Sequence, residues 1–215
     1  MTRVSNPVDD GEAIVTPGDG HYFSLRDDTP SRPGTVRLDL PDRALDLHTD
    51  RGVFSADRID PGTKLLLMEL PELPPGPVVD VGCGYGPIAA TLAARRPDQP
   101  VWAVDVNPRA RELCRRNLEP AVAAGTEVHV VAPEDVPDEL RVAAIVSNPP
   151  IRVGKAVLHD LLHTWLGRLT GGGETWLVVQ KHLGADSLAR WLVEHGHEVE
   201  RVRSRQGYRI LRVTR

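Results

Sequence analysis

From Val78 onward, short apolar runs alternate with stretches of helical periodicity along almost the whole chain. The runs PVVDV, PVWAVDV, TEVHVV, VAAIVS, ETWLVVQ, HEVERV and YRILRV are rich in β-branched residues and bounded by turn formers, which predicts strands. Among them lie PIAATLAARR, PRARELCRRNLE, AVLHDLLHTWLGRL and ADSLARWLVEH, each with apolar residues at helical spacing. Such alternation specifies a mostly parallel, doubly wound sheet, because each parallel crossover lays a helix on one face. The last two runs are joined only by RSRQG, too short for a crossover, so they pair as an antiparallel hairpin at the sheet edge.

Upstream the pattern changes. Residues 1–20, rich in Pro, Gly and Asp, read as a flexible lead-in. In TVRLDLPDRALDLHTD, alternating positions flank Pro41-Asp42-Arg43, which predicts a small β-hairpin. GVFSADRID (52–60) reads as a loop, and PGTKLLLMEL (61–70) as a helix with Pro61 in its first turn. The proline-rich ELPPGP then leads into the main domain. The expected organisation is a lead-in (1–20), a hairpin-and-helix extension (21–75) and one α/β domain (76–215).

With 215 residues, 40% hydrophobic content and a mean hydropathy of -0.26, one substantial domain with a real core is expected. A net charge of -4 and a pI of about 6.1 argue against indiscriminate nucleic-acid binding but leave room for a local basic patch. Between Arg201 and Arg215 six arginines (201, 203, 205, 209, 212 and 215) meet no acid in sequence. They read either as a charged edge that discourages aggregation or as a face for phosphate. Cys83 and Cys114 form no CxxC pattern and read as free thiols of a reducing compartment. The first residues hold no apolar signal region and no segment is long enough to cross a membrane, so the expected location is cytoplasmic.

Two stretches carry chemistry. The first strand runs into Asp80-Val81-Gly82-Cys83-Gly84-Tyr85-Gly86-Pro87, a glycine loop that lets backbone approach a ligand at the mouth of the sheet. A dinucleotide fingerprint would place another glycine where Pro87 stands. Pro87 removes an N–H that a pyrophosphate would use, and Asp80 adds negative charge nearby, so the loop suits a cationic or neutral group. One βαβ unit later, VWAVDVN brings Asp105, Val106 and Asn107 to the same mouth. Asp105 is placed to accept from ribose hydroxyls, with Asn107 the better helix cap. After the third strand, Glu134 or Asp135 could reach an adenine amino group.

The second stretch, Ser147-Asn148-Pro149-Pro150-Ile151-Arg152, ends a buried strand with an asparagine followed by two prolines. One proline would stop the ladder. The second adds rigidity, as though the Asn148 amide and the neighbouring carbonyl were aimed at something.

Together DVGCGYGP, the acid of VDVN and SNPP resemble a class I S-adenosylmethionine-dependent methyltransferase. More narrowly, DRGVFSADRIDPGTKLLL, SNPPIRVGK, GGGETWLVVQK and QGYRILRV resemble the small-domain methyltransferase family, which includes the bacterial enzymes that methylate guanine N2 of 16S ribosomal RNA. The resemblance spans roughly residues 45–213 and implies a Rossmann-like seven-stranded sheet with its last strand antiparallel. It implies S-adenosyl-L-methionine at Asp80, Gly82, Cys83, Gly84, Gly86, Asp105, Val106, Asn107 and Glu134, with Asn148 alongside. It further implies that Asn148 and the Pro149 carbonyl, with Pro150 as a rigid support, accept hydrogen bonds from a planar substrate NH2 in line with the methyl group. The partner implied is RNA, ribosomal RNA or a ribosomal subunit. Ile151 departs from the aromatic residue that would stack on a base, which leaves a protein glutamine amide, a small-molecule amine or a non-catalytic cofactor-binding module as alternatives. Phe54, Trp176 and Tyr208 are the aromatic candidates to replace it, and Arg152 and Lys155 are the candidates for phosphate.

Other features carry less. His159 and His163 share a helix face at zinc-ligand spacing, without the glutamate or third ligand of a zinc protease. Gln180-Lys181 ends the fifth strand on the ligand side, and Gly171-Gly172-Gly173 reads as a helix stop and turn.

Overall fold

The computed structural model describes residues 30–215, so the lead-in read at 1–20 lies outside the described residues. The alternating segment forms a two-stranded antiparallel sheet, β1 (Gly34–Asp39) with β2 (Ala44–Thr49), closed by a turn in which Leu40 N–H donates to the Arg43 carbonyl at 2.8 Å. Helix α1 (Pro61–Glu69) follows with Pro61 in its first turn, capped by the Asp60 carboxylate accepting from Thr63 N–H at 2.9 Å.

The remaining strands form one seven-stranded sheet: β3 (Val78–Val81), β4 (Val101–Val104), β5 (Val128–Val131), β6 (Val142–Ser147), β7 (Leu169–Gln180), β8 (Glu198–Arg205) and β9 (Tyr208–Thr214), in spatial order β5-β4-β3-β6-β7-β9-β8. All pairings from β5 to β7 are parallel, and β9 runs antiparallel to both its neighbours. The predicted hairpin forms, but its second strand inserts beside β7 and leaves β8 as the outer edge. Helices α2 (Pro87–Arg95), α3 (Pro108–Ala123), α4 (Lys155–Leu166) and α5 (Ala185–Glu194) cover the two faces.

Strand periodicity sorts the core into two layers. Val78, Ala144, Val146, Trp176, Val178 and Ile210 face α1, α2, α3 and the N-terminal hairpin. Val79, Val81, Ile145, Leu177, Val179, Leu211 and Val213 face α4 and α5. Since Val36, Leu38 and Leu47 of the hairpin belong to the first layer, the extension is bound into the same core as the main sheet. Asn117 of α3 fastens it by accepting from His48 N–H (2.7 Å) and donating to the carbonyls of His48 (2.9 Å) and Tyr85 (2.8 Å).

Three expectations need correction or refinement. The glycine triplet is no free turn: it lies within β7, where Val142 pairs with Leu169 but Ala144 with Glu174, so Thr170–Gly173 bulge out of register. The basic tail is largely neutralised by acids distant in sequence: Arg203 pairs with Glu69, Arg201 and the buried Arg209 with Asp186, and Arg212 with Glu174. These pairs tie β8 and β9 to α1, α5 and β7, which favours the structural reading of the arginines. Trp176 is interior, its indole N–H donating to Glu174 at 2.8 Å, and offers no stacking surface. Among the described residues, no helix is long and apolar enough to cross a membrane.

Candidate active site

At the carboxyl ends of β3, β4 and β6 the chain must leave the sheet, and a cavity of about 380 Å³ opens there. Its position at the mouth of a parallel sheet beside the central strand is where open α/β sheets bind ligands.

One wall is the glycine loop. Gly82 and Gly84 line the cavity with φ of 75° and 56°. The N–H groups of Gly82 and Cys83 both donate to the Val104 carbonyl (2.8 and 3.1 Å), which pins the loop to β4. Gly86 lies away from the cavity, where its missing Cβ makes room for the Cys114 sulfur. Cys83 and Cys114 are both buried free thiols. Hydrogen bonding to Cys114, then burial, holds the Cys83 thiol well above its usual range, so it fills space as a neutral group.

Asp105 sits on the facing side. Its Oδ2 accepts from Gly84 N–H and its Oδ1 from Asn107 N–H, both at 2.8 Å. A carboxylate has about four acceptor positions, so capacity remains for a ligand. Asn107 is the cap of α3, accepting from Arg109 N–H at 3.0 Å, and its amide donates to the Gly52 carbonyl at 3.1 Å. Val106, Pro133, Leu161 and Trp165 complete an apolar wall suited to a flat ring. Glu134 and Asp135 are exposed and outside this lining. Asp80 is fully buried beneath the loop, with Oδ2 accepting from Ala89 N–H in the first turn of α2 and Oδ1 without a partner. Burial first, then the Asp105 charge, pushes its carboxyl well above the usual carboxylate range.

The other wall is built on Asn148. Ser147 Oγ donates to the Val81 carbonyl at 2.6 Å, which fixes the end of β6 against β3. Asn148 Nδ2 then donates to Asp60 Oδ2 (3.0 Å) and Thr63 Oγ1 (2.9 Å). Both amide hydrogens are thereby used, and Oδ1, with no partner among the described residues, is the atom left for the cavity. The Pro149 carbonyl accepts from Ile151 N–H at 2.8 Å and keeps its second lone pair. Ile151 and Arg152 line the cavity, and Lys155 opens α4 on an adjoining groove. At the rim are Phe54, 65% exposed, and Tyr208, whose hydroxyl accepts from Gln180 Nε2 at 3.0 Å and approaches Asp60 Oδ1 at 3.5 Å.

The structure thus brings Asp105, Val106, Asn107, Gly82, Gly84, Asn148, both prolines, Ile151, Arg152 and Phe54 around one space, and leaves Asp80, Cys83, Gly86, Glu134 and Lys155 outside its lining. Asp60 and Thr63 went unread. The Asp-Pro-Gly-Thr spacing of a helix cap was their available signal, but their contact with Asn148 bridges 88 and 85 residues. His159 stacks on Trp191 with ring centroids 4.0 Å apart, and the described residues contain no group of three metal-ligating side chains.

A doubly wound sheet of this order, with a glycine loop after β3 and an acid after β4, is the fold of the Rossmann-like methyltransferases, whose methyl donor is S-adenosylmethionine. The residues fit that cofactor: bare backbone at Gly82 and Gly84, the Asp105 carboxylate for a diol and an apolar wall for a ring. The model of the methyltransferase small domain matches residues 44–212, and the chain belongs to that family. It is 36% identical over 195 residues to the YbxB protein of Bacillus subtilis (strain 168), covering 89% of this chain and 96% of that protein. It is 35% identical to the ribosomal RNA small subunit methyltransferase C of Stutzerimonas stutzeri (strain A1501), covering 83% of this chain but 53% of the relative. The chain therefore spans about half the length of that relative. In structure it is similar to the T. thermophilus 16S rRNA guanine-N2 methyltransferase RsmC in complex with AdoMet and guanosine, with a TM-score of 0.71, 24% identity, and 86% and 51% of the two chains covered.

Proposed function

We propose that this methyltransferase acts on an exocyclic amino group, the N2 of guanine in ribosomal RNA. The observation that carries this reading is the orientation of Asn148, whose donors are consumed by Asp60 and Thr63 so that an acceptor faces the cavity. S-adenosylmethionine, when bound, supplies a methyl group on a sulfonium leaving group. The protein's own part is positioning. Asn148 Oδ1 and the free lone pair of the Pro149 carbonyl accept from the two hydrogens of a planar NH2, turning its developing lone pair toward the methyl carbon. The same acceptors stabilise the positive charge that grows on nitrogen, so no strong general base is needed. Phe54 offers a face on which a base can stack, and Arg152 and Lys155 offer cations for the backbone. The names of the longer relatives, of which this chain covers about half, support ribosomal RNA as the substrate class. Ile151, which has no π face, favours the second reading, a glutamine side-chain amide, since the same pair of acceptors would serve it.

The test is transfer of tritiated methyl from S-adenosylmethionine to small ribosomal subunits from cells lacking the gene. Label released as N2-methylguanosine on nuclease digestion is the expected result. Label released only by protease would replace this reading with the second.

A further inference from the structure

The mechanism uses one oxygen of Asp60 indirectly and leaves the other unexplained. Oδ2 is saturated: it caps α1 through Thr63 N–H at 2.9 Å and receives Asn148 Nδ2 at 3.0 Å. Oδ1 belongs to the same cavity wall as Asn148, and its only approach among the described residues is the Tyr208 hydroxyl at 3.5 Å, the outer limit of a hydrogen bond. Tyr208 is itself oriented by Gln180, and Gly62 leaves the space its ring occupies, since a Cβ there would lie 2.5 Å from it. An acceptor is therefore held rigidly beside the amide oxygen that faces the substrate amino group.

Resting on the guanine reading above, we infer that Asp60 is the specificity-determining residue, with Oδ1 accepting the ring N–H adjacent to the methylated amino group. Guanine presents N1–H next to N2, a donor beside a donor. Adenine presents a bare ring nitrogen next to its amino group, and a carboxylate oxygen facing that lone pair is left unpaired and repelled. A site built to receive a hydrogen bond rejects an analogue lacking the donor, because its acceptor is then left unpaired. Asp60 thus links the fixing of Asn148 to the choice of base.

The test compares two short RNAs identical except at the methylated position, which carries guanine or 2-aminopurine. Both have the 2-amino group, and only guanine has the ring N–H. The wild-type chain is expected to prefer guanine by about 10-fold to 100-fold in kcat/KM, the range of one good base contact. Asp60→Asn keeps a capping oxygen and an acceptor for Asn148 but can turn an N–H toward the ring nitrogen. It is expected to lose guanine activity and to erase or invert the preference, with thermal stability close to wild type. Wild-type discrimination that survives in Asp60→Asn would overturn the assignment, as would equal use of both RNAs by the wild type. Absence of N2-methylguanosine from small ribosomal subunits treated with the wild type would instead remove the guanine reading, and this inference with it.

Discussion

Two glycines of one loop are required for different reasons, and substitution separates them. At Gly86 (φ 88°) an added Cβ would lie 2.6 Å from Cys114 Sγ, 3.3 Å from its Cβ and 3.4 Å from its Cα, and Cys114 is fully buried. Gly86→Ala therefore carries left-handed strain of about 1–2 kcal/mol and overpacking of about 1–3 kcal/mol, together roughly 2–5 kcal/mol of stability. Cys114→Ala removes the closest atom. In the double variant about 1–2 kcal/mol of that loss should return as coupling, leaving the backbone strain. At Gly84 (φ 56°) nothing lies within 4 Å, so Gly84→Ala should lower stability by only about 1 kcal/mol. Its methyl group would instead project where the cofactor approaches and weaken affinity at least about 10-fold, or 1.4 kcal/mol. Urea unfolding followed by tryptophan fluorescence reads the first effect, and calorimetric titration with S-adenosylhomocysteine the second. Gly86→Ala unrelieved by Cys114→Ala, or Gly84→Ala binding like wild type, would refute the division.

Asn148→Ala should lower methyl transfer by about 10²–10³-fold, the usual effect of removing one preorganised transition-state hydrogen bond, with cofactor affinity within about threefold in the same titration. Asp80→Asn should raise thermal stability and flatten its pH dependence. A folded-state pKa raised by burial means that the wild type is most stable below the unfolded value of about 3.9 and loses stability as pH rises toward the folded value; melting curves from about pH 4 to 8 would show the difference in slope. Asp186→Ala strips the buried Arg209 of its ion-pair partner and should cost about 2–3 kcal/mol in urea unfolding, below the full buried-pair effect because Asp186 is half exposed.

The parallel sheet was legible because period and length tell strand from helix, and the junctions fall where Gly, Pro and Asn break each pattern. The glycine loop, the acid of β4 and the SNPP segment were legible because each is contiguous and leaves the sheet at the same edge. What could not be read was pairing across the chain. The arginines of β8 and β9 look unopposed in sequence, yet Glu69, Glu174 and Asp186 arrive from other elements. Nor does composition tell a reader that Asp80 lies under the loop or that Gly171–Gly173 is absorbed as a bulge. Those outcomes depend on packing of the neighbours, which local pattern does not encode.

The insertion of β9 between β7 and β8 has a consequence for how the enzyme comes into being on the ribosome. Tyr208 opens β9 and meets Asp60, 148 residues earlier, at the rim of the cavity. When the glycine loop, Asp105 and Asn148 have all left the exit tunnel, the site still lacks this wall, and β8 has no neighbour until β9 emerges to separate it from β7. The rim beside Asp60 is therefore completed only when the last strand seats between β7 and β8, so closing the cavity and closing the sheet are one event.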